Sequence, residues 1–421
     1  MKKMKDSGVA WIGEIPSNWA LVRVKNQYSS HKTIAGSDSE KYERLALTLN
    51  GVIKRSKEDS NGLQPEAFDG YQVLNTGELV FKLIDLANVA TSRVGYSPYT
   101  GIVSPAYIIL SPNKDAVAKF GEKFFLSMWQ REVFNHMGDD GVRSSLNVSD
   151  LLNIPYPHPP LPEQKRIADF LDRKCADIDN VLLMTKTSIE EYKKLKQSVI
   201  DESVSKGIQQ NRPMKKSGVE WVGDIPSEWS VIKCSRLFQE NVRTPDSSDT
   251  PLSLSQADGL IPTDDMKESS LKTSTYEGWK KVVPNDLVLN RFKGHLGVLF
   301  CSDYVGMVSF HYGVFEAVAD LSPKYFEYLF HSTAYKAILA NKSNGMTVGL
   351  QNLSNQNFYS IQCICPSYHE QLTIATYLNE KCAKIDSLIE SKERFITELE
   401  SYKKSLIYEY VTGKKEVPDE A

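Results

Sequence analysis

Side chains able to read a polar surface interrupt the apolar patterns of this chain at a few places. In the first half these are Lys82, Arg93, Arg143, Ser144 and Asn147; in the second they are Arg291, Lys293, His295, Lys342, Asn344, Thr347 and Gln351. Arginine and lysine bridge two acceptors on a guanine edge or grip phosphates, while asparagine and glutamine match the donor and acceptor of adenine. Together they are candidate contacts to a nucleic-acid duplex.

Reaction chemistry is harder to find. No G-x-x-x-x-G-K-[ST] phosphate loop occurs. The histidines at 31, 136, 158, 295, 311, 331 and 369 form no H-x-x-x-H or H-E-x-x-H pair, and Cys363-Ile364-Cys365 is an isolated C-x-C. Asn153-Ile154-Pro155-Tyr156 is only superficially like the Pro-Pro-aromatic motif of amino-methyltransferases, with isoleucine where the first proline belongs and no glycine-rich cofactor loop to serve it. No metal site, cofactor or catalytic group is therefore expected in this chain.

Cysteines at 175, 234, 301, 363, 365 and 382 lack paired C-x-x-C spacing, no apolar signal segment opens the sequence, and no run is long enough to span a bilayer. A cytoplasmic protein with reduced thiols is expected. Net charge is −3, so any positive surface must be local rather than global.

The elements that must position the candidates come in two copies. Met4 to Trp19 (MKDSGVAWIGEIPSNW) returns as Met214 to Trp229 (MKKSGVEWVGDIPSEW), identical at eleven of sixteen positions. A second block beginning Glu163-Gln164 returns at Glu370-Gln371 and keeps Ile167/Ile374, Leu171/Leu378, Cys175/Cys382, Ile178/Ile385 and Asp179/Asp386. Between these anchors the halves diverge, with an echo of Gly101-Ile102-Val103-Ser104 in Gly306-Met307-Val308-Ser309.

The second block reads as a long helix in each copy. Leu171, Cys175, Ile178, Leu182, Thr185, Ile189, Tyr192 and Val199, with Leu195 and Lys196 sharing the one remaining step, recur at alternating steps of four and three, as do Leu378, Cys382, Ile385, Ile389, Lys392, Ile396, Leu399, Lys403 and Leu406. Helices over 163–204 and 370–411 would each run roughly 60 Å at ~1.5 Å per residue, with a seam too long for one small domain to cover. The short connection after Ser205 favours an antiparallel pair. Lys392 and Lys403 fall on the stripe and are expected to weaken it locally.

The intervening regions mix strand-like runs, such as 77–81, 107–110, 286–289 and 313–315, with helical stretches near 117–134 and 323–340. The expected fold is α+β and tandem-duplicated, with two mixed α/β heads separated by two long antiparallel coiled-coil helices. The expected layout is a box at 1–19, a head at 20–152, a proline-rich arm at 153–162 and a helix at 163–204. A linker and second box at 205–229, a head at 230–358, an arm at 359–369, a helix at 370–411 and a flexible tail at 412–421 follow. Trp11, Gly13, Pro16 and Trp19, with Trp221, Gly223, Pro226 and Trp229, are expected to be structural clamps rather than catalytic groups.

This order of box, variable region, P-x-P-P-L-P-E-Q-K-R-I-A entry and helix, seen twice, closely resembles the specificity subunit of type I restriction-modification enzymes. The resemblance implies two target recognition domains that each read one half of a bipartite duplex DNA site, and helices that set the spacer. It implies two methyltransferase subunits and restriction-translocase subunits as partners, which would bring S-adenosylmethionine, ATP and Mg2+. The second arm keeps only Pro366, which questions whether both heads are held alike. The competing reading is a non-catalytic coiled-coil adaptor presenting two protein-binding domains.

Overall fold

In a computed structural model, residues 3–59, 67–86, 92–137, 145–219, 221–256, 258–266, 276–343 and 352–418 are described. The fold is mixed α/β, with two sheet-rich halves and two long helices, Leu161–Lys206 and Tyr368–Val411. The chain divides into two compact units, Met1–Thr185 with Arg394–Ala421, and Lys186–Glu393. Each unit thus holds one head and a stretch of both helices.

In the first unit the box forms a hairpin, Met4–Asp6 against Glu14–Pro16, turned at Gly13 with φ +71°. Trp19 is 1% exposed, at the foot of the core. The head carries a four-stranded sheet in the order Tyr28–His31, Ile108–Pro112, Leu79–Phe81, Val94–Tyr96, and another built from Gly51–Arg55, Arg44–Thr48, Gly101–Val103 and Gln72–Leu74. The helix Ala118–Gln130 lays Phe120, Phe124 and Phe125 into the core beside Tyr28, Phe81 and Tyr156.

The second unit repeats this plan. Its box pairs Met214–Lys216 with Asp224–Pro226 in the equivalent register. Its main sheet follows the same order, Phe238–Glu240, Tyr312–Ala317, Leu287–Asn290, Leu299–Cys301. The glycine echo has a steric reason. A Cβ on Gly101 would lie 2.5 Å from the Glu43 carbonyl oxygen, and one on Gly306 2.5 Å from that of Thr250. Those carbonyls accept from Ile102 and Met307, both at 2.9 Å, so only glycine lets the strands approach.

Three expectations are corrected. The helical stretch near 323–340 is two helices, Pro323–His331 and Thr333–Lys342, because the Ser332 hydroxyl accepts from the Tyr335 N–H and caps a new helix. The arms, expected from their prolines to be stiff extended connectors, are paired strands. Pro155–His158 pairs with Ala20–Arg23 and Gln362–Cys365 pairs with Ser230–Lys233, four residue pairs each. Prolines at alternate positions 155 and 157 leave the amides of Tyr156 and His158 for pairing. Losing them in the second arm costs no ladder.

The third correction concerns the seam lysines. In the first unit the Lys403 ammonium lies 2.6 Å from the Asp179 carboxylate across the helix pair, and the rings of Phe170 and Tyr410 are 4.6 Å apart. In the second, Lys196 lies 2.6 Å from Asp386, and Lys392 sits over the Tyr192 ring at 5.6 Å. Within each unit the helix segments run antiparallel. Asp179 and Asp386 are equivalent in the sequence repeat, as are Lys196 and Lys403, so both units carry the same charge pair.

Seam burial is uneven. Leu171, Cys175, Ile178, Leu182 and Ile189 are buried, as are Leu378, Cys382, Ile385 and Leu406; Tyr192, Val199, Ile389, Ile396 and Leu399 are half-buried. Next to Val199, Ile200 is the buried residue. The deepest positions, Leu171 and Leu378, are part of the core of each head.

The start of each long helix is bolted to its head by the repeated Glu-Gln. The Trp19 indole N–H donates to Glu163 at 3.1 Å, and that of Trp229 to Glu370 at 2.8 Å. Gln164 accepts from the Val117 amide at 3.0 Å and donates to the Pro159 carbonyl at 2.9 Å; Gln371 accepts from Ser322 at 2.9 Å and donates to Pro366 at 3.0 Å. Both glutamines are fully buried. Gln164→Ala would strand a buried N–H and a carbonyl, and we expect it to lower stability by about 2–3 kcal/mol in denaturant unfolding; an unchanged midpoint would contradict this role.

Candidate nucleic-acid interface

The described candidate residues gather at one place on each head. In the first unit, the Lys82 amide donates to Arg93 O at 3.1 Å, Leu146 donates to Leu83 O at 2.9 Å, and Ile84 bridges to Ser145. Lys82, Arg93 and Asn147 therefore come from segments held side by side at the end of the internal strand Leu79–Phe81. Arg143 and Ser144 lie outside the described residues.

Their exposure differs. Lys82 is half-buried and Asn147 exposed. Asn147 caps the helix Val148–Asn153, accepting from the Asp150 amide at 3.0 Å. Arg93 is 0% exposed and donates to the Asp85 carbonyl. A guanidinium so enclosed supports the Asp85 turn.

In the second unit the same corner is built from the turn Arg291–Leu296, whose first residue accepts from the Leu353 amide at 2.9 Å just ahead of the helix Asn355–Tyr359. Lys293 is exposed, His295 half-buried, and Lys342 exposed at the end of its helix. Asn344, Thr347 and Gln351 lie outside the described residues. Arg291 is engaged inward, 2.6 Å from Glu240 and 2.9 Å from Asn355 Oδ1. It braces the turn that presents Lys293.

Further basic residues, missed in the sequence reading, line a cleft on the first head. Arg44, Lys54, Arg55 and Lys57 meet there beside Tyr42. The run Lys54-Arg55-Ser56-Lys57 was the available signal, masked by interspersed acids: Lys54 pairs with Glu43 at 2.5 Å and Arg55 with Asp59 at 2.8 Å.

Among the boxes, Trp19, Trp229, Pro16 and Pro226 are buried, and Gly13 and Gly223 take φ of +71° and +76°. The other tryptophans part company. Trp11 packs on Phe124 with ring centroids 5.9 Å apart, whereas Trp221 is 53% exposed with φ +65°. In the first unit Tyr408 donates to Ile12 O at 3.0 Å and receives Arg131 over its ring at 3.7 Å, and Arg131 in turn donates to Trp11 O at 3.0 Å.

Among the described residues, no group of three or more His, Cys, Asp or Glu could hold a metal ion, and no helix is long and apolar enough to cross a membrane. The most densely charged cluster near the candidate corners is Glu240 with Lys280, at 2.7 Å, and Arg291. Burial raises the Glu240 carboxyl, but the Lys280 hydrogen bond and the charges of Lys280 and Arg291 outweigh it and hold the group below the ordinary glutamate range. A carboxyl lowered by folding stabilises the folded state above its unfolded value, and that contribution is lost as pH falls through the lowered folded value. We expect Glu240→Gln to cost about 2 kcal/mol at neutral pH and to flatten the acid limb of the thermal unfolding curve; an acid limb identical to the parent's would contradict the network.

No protein-family model matches the chain. It is 24% identical over 438 aligned residues, covering 96% of this chain and 95% of the relative, to the protein named as the MjaX type I restriction enzyme specificity subunit of Methanocaldococcus jannaschii. A stretch of 85 residues, 20% of this chain and 18% of the relative, is 35% identical to the MjaVIII specificity subunit of the same organism. Among solved structures, a chain from work on complex assembly and conformational transition of the type I R-M system gives a TM-score of 0.69 at 13% identity, covering 95% of this chain and 99% of that one. The HsdS subunit from Thermoanaerobacter tengcongensis gives 0.53 at 13% identity, covering 95% and 98%. In sequence over nearly its whole length, and in fold, the chain is a homologue of type I restriction-modification specificity subunits.

Proposed function

We propose that the chain is the DNA-reading component of a type I restriction-modification enzyme and leaves catalysis to its partners. Residues 20–152 read one half of a bipartite duplex site and 230–358 the other. The helices 163–204 and 370–411 set the unread spacer and dock two methyltransferase subunits. Restriction-translocase subunits complete the assembly, and S-adenosylmethionine, ATP and Mg2+ belong to those partners.

One observation carries the reading. The same strand order ends in the same corner on both heads, and each corner presents different polar residues: Lys82 and Asn147 on one, Lys293 and Lys342 on the other. A shared scaffold with unlike tips suits two sequence readers on one chain. An adaptor binding two proteins would need no cations there.

Binding of the full chain, with its methyltransferase subunits, to a randomised duplex pool separates the two readings. A DNA reader releases counterions, so the logarithm of affinity falls linearly with that of salt concentration; affinity without a salt slope, or none, rejects the assignment. Exchanging residues 230–358 for another such head is expected to change one half of the selected sequence and leave the other half intact. A change in both halves would show that the heads do not read independently.

A further inference from the structure

We propose that Ile84 and Phe292 are apolar wedges that enter the base stack, one in each half-site, an inference that rests on the DNA-reading assignment above. The two occupy one position of the shared architecture. Ile84 follows Leu83, whose carbonyl accepts from Leu146; Phe292 follows Arg291, whose carbonyl accepts from Leu353; both bonds are 2.9 Å. Each bond ties the end of an internal strand to the residue just before the cap of a short helix, Asn147 in one head and Ser354 in the other.

Ile84 is 42% exposed and Phe292 47%. A single exposed apolar side chain is ordinary on a protein surface. Two at equivalent points of heads that have otherwise diverged, each within two residues of a candidate cation along the chain (Lys82 and Lys293), form a pattern that recurs with the architecture. Both are also supported from behind. Ile84 is fixed by its bridge to Ser145 and by the left-handed Asp85, φ +54°, that follows. The Phe292 ring lies 5.4 Å from that of His311, which is itself 3.9 Å from Phe310. Phe310 is 51% exposed, so the three rings form a short aromatic ridge.

Such side chains have no polar atoms with which to match a base edge. What they offer DNA is a surface that replaces one base-stacking contact when a step is opened, while neighbouring cations hold the phosphates. Unstacking costs a few kcal/mol per step and is least costly at flexible pyrimidine–purine steps. The wedges would therefore select for such a step without contacting a hydrogen-bonding group. The exposed Lys293 directly after Phe292 favours the phosphate-flanked duplex over an apolar protein surface as the occupant.

The test uses the full chain assembled with its methyltransferase subunits and a duplex enriched by that assembly from a randomised pool. 2-Aminopurine replaces, one at a time, each purine of both half-sites except the base that becomes methylated. We expect a several-fold rise in fluorescence at one step in each half-site. Phe292→Ala should abolish it in the half-site assigned to 230–358 and Ile84→Ala in the other, each weakening binding roughly tenfold while leaving the salt slope unchanged, because no phosphate contact is removed. Both positions are exposed, and an unaltered melting temperature confirms that each variant is folded. Salt-dependent binding without a fluorescence rise, or a rise that survives both substitutions, overturns the wedges and leaves the DNA reading standing. Failure to enrich any duplex overturns both.

Discussion

Each head is held by a tryptophan, a glutamate and a glutamine. The indole of Trp19 or Trp229 is buried against the first turn of a long helix and satisfies its one polar atom on Glu163 or Glu370. The next residue, Gln164 or Gln371, spends its carbonyl on the amide that opens the head's main helix and its amide on the preceding arm. A buried polar side chain satisfied on three elements at once is far more directional than apolar packing, since displacing any one element strands a donor or acceptor. The angle at which head, arm and helix meet is set there.

The far ends of the helices use the same boxes. Gly413, φ +70°, follows the second helix where an added Cβ would fall within 2.9 Å of Trp19 and closer still to Pro16; Gly207, φ +76°, follows the first, with Arg212, Glu370 and Trp229 around it. Each box tryptophan thus meets the beginning of one long helix and the glycine that ends the other. This explains why the boxes vary so little between the copies while the heads vary freely. A box must fit the ends of both long helices, a constraint the head tips do not share.

Charge refines what packing begins. Asp179–Lys403 and Lys196–Asp386 are partly exposed and contribute little each, about 0–1 kcal/mol. Their value lies in direction: a parallel pairing or a slipped register would set these groups against other side chains. Lysines that look like flaws in an apolar stripe are its markers of register.

Much of this was legible in the residues. The repeated boxes, the unbroken 4-3 spacing after Glu163 and Glu370, and the absence of proline beyond the first turn are local properties, and the long helices follow from local periodicity. The paired glycines 101 and 306 were visible only as an echo, because the carbonyls that forbid a side chain there come from Glu43 and Thr250, more than fifty residues away in sequence. The same holds for the candidate corners. Their residue types could be picked from the sequence, but burial of Arg93, capping by Asn147 and the inward ion pair of Arg291 depend on which distant segments pack beside them, as does the recurrence of an exposed apolar residue at 84 and 292. Periodicity is written along the chain, so sequence alone determined the repeat and its helices; exposure and partnership arise between segments far apart in the chain, so only the tertiary structure decided which polar side chains face outward and which hold the fold.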